Sequence, residues 1–223
     1  MKYIIYTLGC KVNQYETQAM ETLLGEHGHT PAAEGETADA VIVNTCAVTA
    51  EAGRKSRQAI NRLREENPGA VVAVSGCYSQ LSPDTAAKLG ADVIFGTGDR
   101  VKLVDAIERA CAGGASERCV DKPFERRVFE ELPAGAAEGR TRALLKIQDG
   151  CVNFCTYCII PYTRGRLRSL PIADGWLRRR ADGHHHRPPC ARIQPAGRCH
   201  GGNVPPRQGG CHGRGRRLLQ DYH

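Results

Sequence analysis

The chain is 223 residues long, 41% hydrophobic, with 31 Lys and Arg against 24 Asp and Glu and a formal net charge of +7. That length holds one large domain or one and a half ordinary ones, and no stretch approaches the ~18 uninterrupted apolar residues of a membrane helix. The charge is uneven: residues 1–170 carry 21 basic and 21 acidic side chains, residues 171–223 carry 10 and 3, so a nucleic-acid reading from charge alone rests on the tail.

The opening MKYIIYTLGCKVN has a short apolar run with polar residues directly behind it, and reads as a buried strand rather than a secretory signal. A cytoplasmic protein without a membrane partner is expected, where eleven cysteines point to metal ligands or redox thiols instead of disulfides. In chain order, Tyr3–Thr7 is predicted as a strand, Val12–His27 as a helix closed by Gly28, and Ala40–Asn44 as a strand. Ala52–Glu66 follows as a helix, Val71–Ser75 as a strand, Pro83–Leu89 as a short helix, Val93–Phe95 as a strand and Asp99–Ala110 as a helix. Strands alternating with helices imply right-handed βαβ units, hence an open α/β domain with a mainly parallel sheet over residues 1–111.

Residues 112–142 are charged and rich in Gly, Ala and Pro, and read as a linker with a short strand around Arg127–Phe129. Ala143–Gln148 (ALLKIQ) restarts an apolar strand that runs into a cysteine cluster, so residues 143–170 read as the start of a second domain. From Pro171 the character changes. The last 53 residues hold six Ile, Leu, Val and Met together, against six Pro, nine Gly and ten Arg, too little apolar side chain for a core. Residues 171–223 are therefore expected to be unstructured, and resemble out-of-frame translation of a GC-rich gene; the nucleotide sequence across codons 165–180 tests this.

Cys151, Cys155 and Cys158 form a Cx3CxxC loop. Three thiolates in one loop can hold three irons of a [4Fe–4S] cluster and leave the fourth open to a non-protein ligand. The competing reading is structural zinc completed by a cysteine such as Cys190. Cys10, Cys46 and Cys77 each fall just past a predicted strand. In a parallel sheet they share the carboxyl edge, where open α/β folds bind ligands. They read as a second cluster site or as three small buried side chains. Gly9 and Gly76 would let the backbone turn beside them. Cys111 and Cys119 have no matching partners, and Cys190, Cys199 and Cys211 with His184–His186 fit no compact metal site.

The segments TLGCKVNQYET, VNTCAVT, VSGCYSQ and GCVNFCTYCIIPYTRGRLRS resemble, in order, those of the MiaB/RimO-type radical S-adenosylmethionine (SAM) methylthiotransferases, from Met1 to about Pro171. The LGCKVNQYE form around Cys10 most resembles the branch acting on tRNA N6-threonylcarbamoyladenosine; the isopentenyladenosine and ribosomal-protein branches differ there. The resemblance implies an auxiliary [4Fe–4S] cluster on Cys10, Cys46 and Cys77 and a radical-generating one on Cys151, Cys155 and Cys158. Tyr157 would lie near the SAM adenine. The implied reaction inserts a methylthio group at C2 of the adenine beside the anticodon, with an electron donor such as flavodoxin or ferredoxin as partner besides tRNA.

Arg164, Arg166 and Arg168 would meet tRNA phosphate or the SAM carboxylate, or form a solvated loop. The family continues past the cluster loop with the rest of an α/β barrel and an RNA-binding module, and nothing after Pro171 resembles either. The radical-SAM barrel is thus expected to be truncated and the chain inactive. Three alternatives stand beside this reading. One is a non-catalytic iron–sulfur-binding α/β module. Another is a methylthiotransferase of another branch, acting on isopentenyladenosine in tRNA or on a ribosomal protein. The last is a cobalamin-dependent radical enzyme, which would want a histidine where Cys10 stands.

Overall fold

The computed structural model describes residues 1–133 and 144–171; the expectations for the tail and its cysteines and histidines lie outside the described residues. The first six strands are β1 (Lys2–Thr7), β2 (Thr30–Pro31), β3 (Ala40–Thr45), β4 (Val71–Gly76), β5 (Val93–Phe95) and β6 (Glu117–Cys119). They form one parallel sheet in the order β2-β1-β3-β4-β5-β6. The connecting helices are α1 (Lys11–Glu26), α2 (Ala50–Glu66), α3 (Cys77–Leu81), α4 (Pro83–Lys88) and α5 (Arg100–Cys111). The fold is α/β, as the alternation of elements implies.

Alternation along the strands divides the core into two layers. Ala40 and Ile42 of β3 turn to the face covered by Met20, Leu23 and Leu24 of α1 and Leu103, Val104 and Ile107 of α5. Val41 and Val43 turn to the opposite face, against Ala59, Ile60 and Leu63 of α2. Strand β3 is buried along its whole length, which is why it reads as a continuous apolar run. Helix α2 starts sharply because the Thr49 side chain accepts a hydrogen bond from the Ala52 amide at 3.0 Å. Among the described residues no helix is long and apolar enough to cross a membrane.

After residue 112, three segments depart from the sequence-based expectation. Residues 117–119, inside the stretch read as linker, pair with β5 as an edge strand. No strand forms at 127–129; Phe129 is instead buried, with the Lys146 ammonium 5.8 Å from its ring centroid. Residues 144–147 form no strand either. Only β7 (Gln148–Asp149) does, antiparallel to β8 (Arg168–Ser169), with the short α6 (Ile160–Arg164) between them. Leu145 and Ile147 are exposed whereas Lys146 is buried. The alternation is inverted because the Lys146 ammonium bonds Glu16 at 2.9 Å.

Candidate metal centre

The sheet order reverses between β1 and β3, and ligands of open α/β sheets bind outside the carboxyl ends of the strands at such a switch point. Cys10 follows β1 and Cys46 follows β3, flanking this crevice, while Cys77 follows the adjacent β4. Cys46 and Cys77 are buried and Cys10 is exposed.

Hydrogen bonds fix the loops that carry them. The Asn13 amide donates to the Leu8 carbonyl at 2.7 Å and to the Thr45 carbonyl at 3.0 Å, tying the loop after β1 to the one after β3. Cys46 N–H donates to Ser56 Oγ at 3.2 Å. Ser79 Oγ donates to the Phe95 carbonyl at 2.6 Å, seating the first turn after β4.

Two glycines make this geometry possible. Gly9 has φ +102°, and a Cβ there would lie 2.8 Å from Cys46 Cβ and Sγ. Gly76 has φ +103°, and its Cβ would collide with the Thr45 carbonyl oxygen. Cys46 thus packs against the residue beside Cys10. Burial pushes the Cys77 thiol up; Arg164 and a hydrogen bond with the Thr163 side chain pull it down, and Glu16 and Cys46 push it up further. A thiolate at Cys77 therefore needs nearby positive charge, and Arg164 supplies some. Three thiols following adjacent strand ends are the donor type that ligates an iron–sulfur cluster.

Cys151, Cys155 and Cys158 lie between β7 and α6, Cys155 exposed and the other two half-buried. Cys151 N–H donates to the Gly165 carbonyl at 3.0 Å and Cys158 N–H to the Cys155 carbonyl at 2.9 Å. Phe154 adopts the left-handed φ of +42° and stacks on Phe124 at 6.0 Å, with Tyr162 edge-on at 5.9 Å. Tyr157 is 90% exposed, open to whatever docks on the loop.

A buried ionic network joins this loop to the sheet domain. Both Glu16 and Arg100 are fully buried, with Arg100 Nη2 2.9 Å from Glu16 Oε2. Glu16 Oε1 also accepts from Lys146 Nζ at 2.9 Å and from Arg164 Nη1 at 2.7 Å. Arg164 Nη1 reaches Asp149 Oδ1 at 3.1 Å, and Arg168 Nη2 lies 3.4 Å from Asp149 Oδ2. Burial opposes the charge on Glu16, but Arg164, Arg100 and Lys146 outweigh it and hold the carboxyl well below 4.5. Arg164 and Arg168 are thus neither a solvated loop nor open to a phosphate, and only Arg166 of the three is exposed. Their acidic partners lie up to 148 positions away, so no local pattern announces them. Glu16 itself could have been suspected only as an acid on the buried face of a predicted helix.

Among the described residues, one trio of ligand-type side chains brings its atoms within 4.8 Å of one another: His27, His29 and Glu108. Both imidazoles donate to one Glu108 oxygen, at 2.8 and 2.7 Å, which satisfies the group without an ion.

Comparison with known proteins places the chain. Residues 2–96 match the family described as Uncharacterized protein family UPF0004. The chain is 47% identical over 165 residues to the threonylcarbamoyladenosine tRNA methylthiotransferase MtaB of Bacillus subtilis, covering 74% of this chain and 37% of that protein. The MtaB of Thermotoga maritima is 41% identical over 169 residues, covering 75% of this chain and 38% of that protein. The tRNA-2-methylthio-N(6)-dimethylallyladenosine synthase of Anaeromyxobacter dehalogenans is 37% identical over 180 residues, covering 78% and 38%. The chain spans less than two fifths of the length of these curated relatives. Residues 2–96 thus match the model of family UPF0004, and over about three quarters of its length the chain is similar to tRNA methylthiotransferases.

Proposed function

We propose that residues 1–171 form the cluster-bearing part of a tRNA methylthiotransferase acting on N6-threonylcarbamoyladenosine. The observation that carries this reading is the position of Cys10, Cys46 and Cys77 at the carboxyl ends of three adjacent parallel strands, with a Cx3CxxC loop joined to the same domain by buried ion pairs. The nucleoside assignment is supported by the two relatives named for threonylcarbamoyladenosine and by the LGCKVNQYE segment.

Cys10, Cys46 and Cys77 would hold one [4Fe–4S] cluster and Cys151, Cys155 and Cys158 the other. When bound, the loop cluster and SAM supply the radical chemistry, and the auxiliary cluster the sulfur that is methylated and inserted. The chain's own residues position. Asn13 and Ser56 hold the thiol-bearing loops, Gly9 and Gly76 let the backbone approach, and Glu16 neutralises the cations that brace the second loop. Tyr157 would meet the SAM adenine, tRNA would present its base to the crevice, and a flavodoxin- or ferredoxin-type donor would reduce the loop cluster.

Anaerobic reconstitution of the full chain followed by iron and sulfide analysis tests the reading. About eight irons are expected, falling to about four when Cys151, Cys155 and Cys158 are replaced by Ala, and likewise for Cys10, Cys46 and Cys77. Iron content insensitive to either triple replacement would refute it. Little 5′-deoxyadenosine is expected from this chain. The described residues after position 143 form one two-stranded ribbon and a short helix, not a closed barrel around the loop.

A further inference from the structure

Arg164 occupies a place that neither its sequence context nor the family match explains. Its Nη2 donates to Asn13 Oδ1 at 3.0 Å and to Glu16 Oε2 at 3.2 Å, while Nη1 donates to Glu16 Oε1 at 2.7 Å and to Asp149 Oδ1 at 3.1 Å. Two of these partners, Asn13 and Asp149, lead to a cysteine. Asn13 Oδ1 is also 3.9 Å from Cys10 Sγ, and the Asn13 amide spans the loops bearing Cys10 and Cys46. Asp149 Oδ1 accepts from the Gly150 amide at 2.9 Å, directly before Cys151. Gly165, next to Arg164, accepts from the Cys151 amide at 3.0 Å. On its other side, α6, which ends at Arg164, packs on α3, which begins at Cys77. A single rigid, planar guanidinium therefore touches the supports of both cysteine trios at once, a geometry a flexible ammonium cannot reproduce.

We infer that Arg164 is a positioning residue that fixes the separation of the two iron–sulfur centres by bonding the Asn13–Glu16 face of α1 to Asp149 at the root of the Cx3CxxC loop. The inference rests on the two-cluster reading above. Arg164 touches no substrate; it acts through the loops it braces. The surrounding charges suit this task. Glu16 and Asp149 are shared among Arg100, Lys146, Arg164 and Arg168, so the brace is held from several elements and cannot swing while they stay paired.

The test uses the full chain, reconstituted with iron and sulfide and reduced with dithionite, and reads the magnetic interaction between the reduced clusters by electron paramagnetic resonance. Wild type is expected to show a spectrum broadened relative to the sum of the two triple-alanine variants, each of which keeps one cluster. Arg164→Gln leaves Glu16 short of a counter-charge and can cost the fold. Arg164→Lys, which keeps the charge but not the fork, is therefore the deciding variant. It is expected to retain wild-type iron content and lose the broadening, whereas Arg166→Lys, at an exposed position, retains both. Broadening undiminished in Arg164→Lys at full iron content would overturn the inference. A wild-type chain whose iron does not respond to replacing Cys10, Cys46 and Cys77 would instead remove the two-cluster reading, a different failure with a different readout.

Discussion

Cys46 and Cys77 hang from the ends of fully packed parallel strands, and their loops are pinned by Asn13, Ser56 and Ser79. Cys151, Cys155 and Cys158 sit on one loop between two-residue strands and a five-residue helix, with an aromatic cluster as its main packing. The first trio is assembled by topology from positions 67 residues apart in sequence, 10 to 77; the second by spacing within eight, 151 to 158. The contrast teaches that two trios of cysteines can draw on different sources of order. The folding free energy of the domain holds the first, while the second depends on a brace of buried charges.

That contrast can be broken most strongly at Glu16. Glu16→Ala would strand Arg100, Lys146 and Arg164 without their common carboxylate and is expected to lower stability by about 3–5 kcal/mol in urea denaturation. The same carboxylate gives the contrast a pH dependence. Its native pKa is held well below 4.5, so its contribution is complete above 4.5 and is lost as pH falls from there toward the depressed native value. Denaturation curves collected across acidic pH are expected to show this decline in wild type and a flatter profile in Glu16→Gln.

Gly76→Ala attacks the topological trio alone. With φ +103° and a collision against the Thr45 carbonyl oxygen, it is expected to cost about 3 kcal/mol and to lose the N-terminal iron first, with the loop iron spared. Phe154→Ala attacks the other side. Removing the contacts with Phe124 and Tyr162 is expected to cost about 1–2 kcal/mol and to speed proteolytic cleavage within residues 151–158, while the sheet domain stays protected. Smallest is Thr49→Ala, which removes the cap of α2 for about 1 kcal/mol and should leave iron content unchanged.

The division between the regions also governs what could be read from sequence. Strands β3, β4 and β5 announce themselves because burial on both faces demands apolar runs such as AVIVN and VVAVS. The edge strands Thr30–Pro31 and Glu117–Cys119 are too short and too polar to carry that signal. Helix α3 escapes because CYSQL is a single turn and a half seated by Ser79, not by an apolar stripe.

The cysteine positions were legible since each follows a strand or shares a motif, whereas the ionic brace was not. ALLKIQ looks like a strand with Leu145 and Ile147 inward, yet Lys146 is the buried member, and nothing near it in sequence reveals that Glu16 waits 130 positions away. Arg164 and Arg168 are opaque for the same reason. A charge is read as solvated until its remote counter-charge is known.

The unequal burial of the first trio has a directional consequence. With residues 46 and 77 sealed and only residue 10 facing water, any incoming iron, chelator or oxidant meets one thiol before the others. A thiol-alkylating reagent is thus expected to modify that one sulfur while its two partners stay protected by the folded sheet.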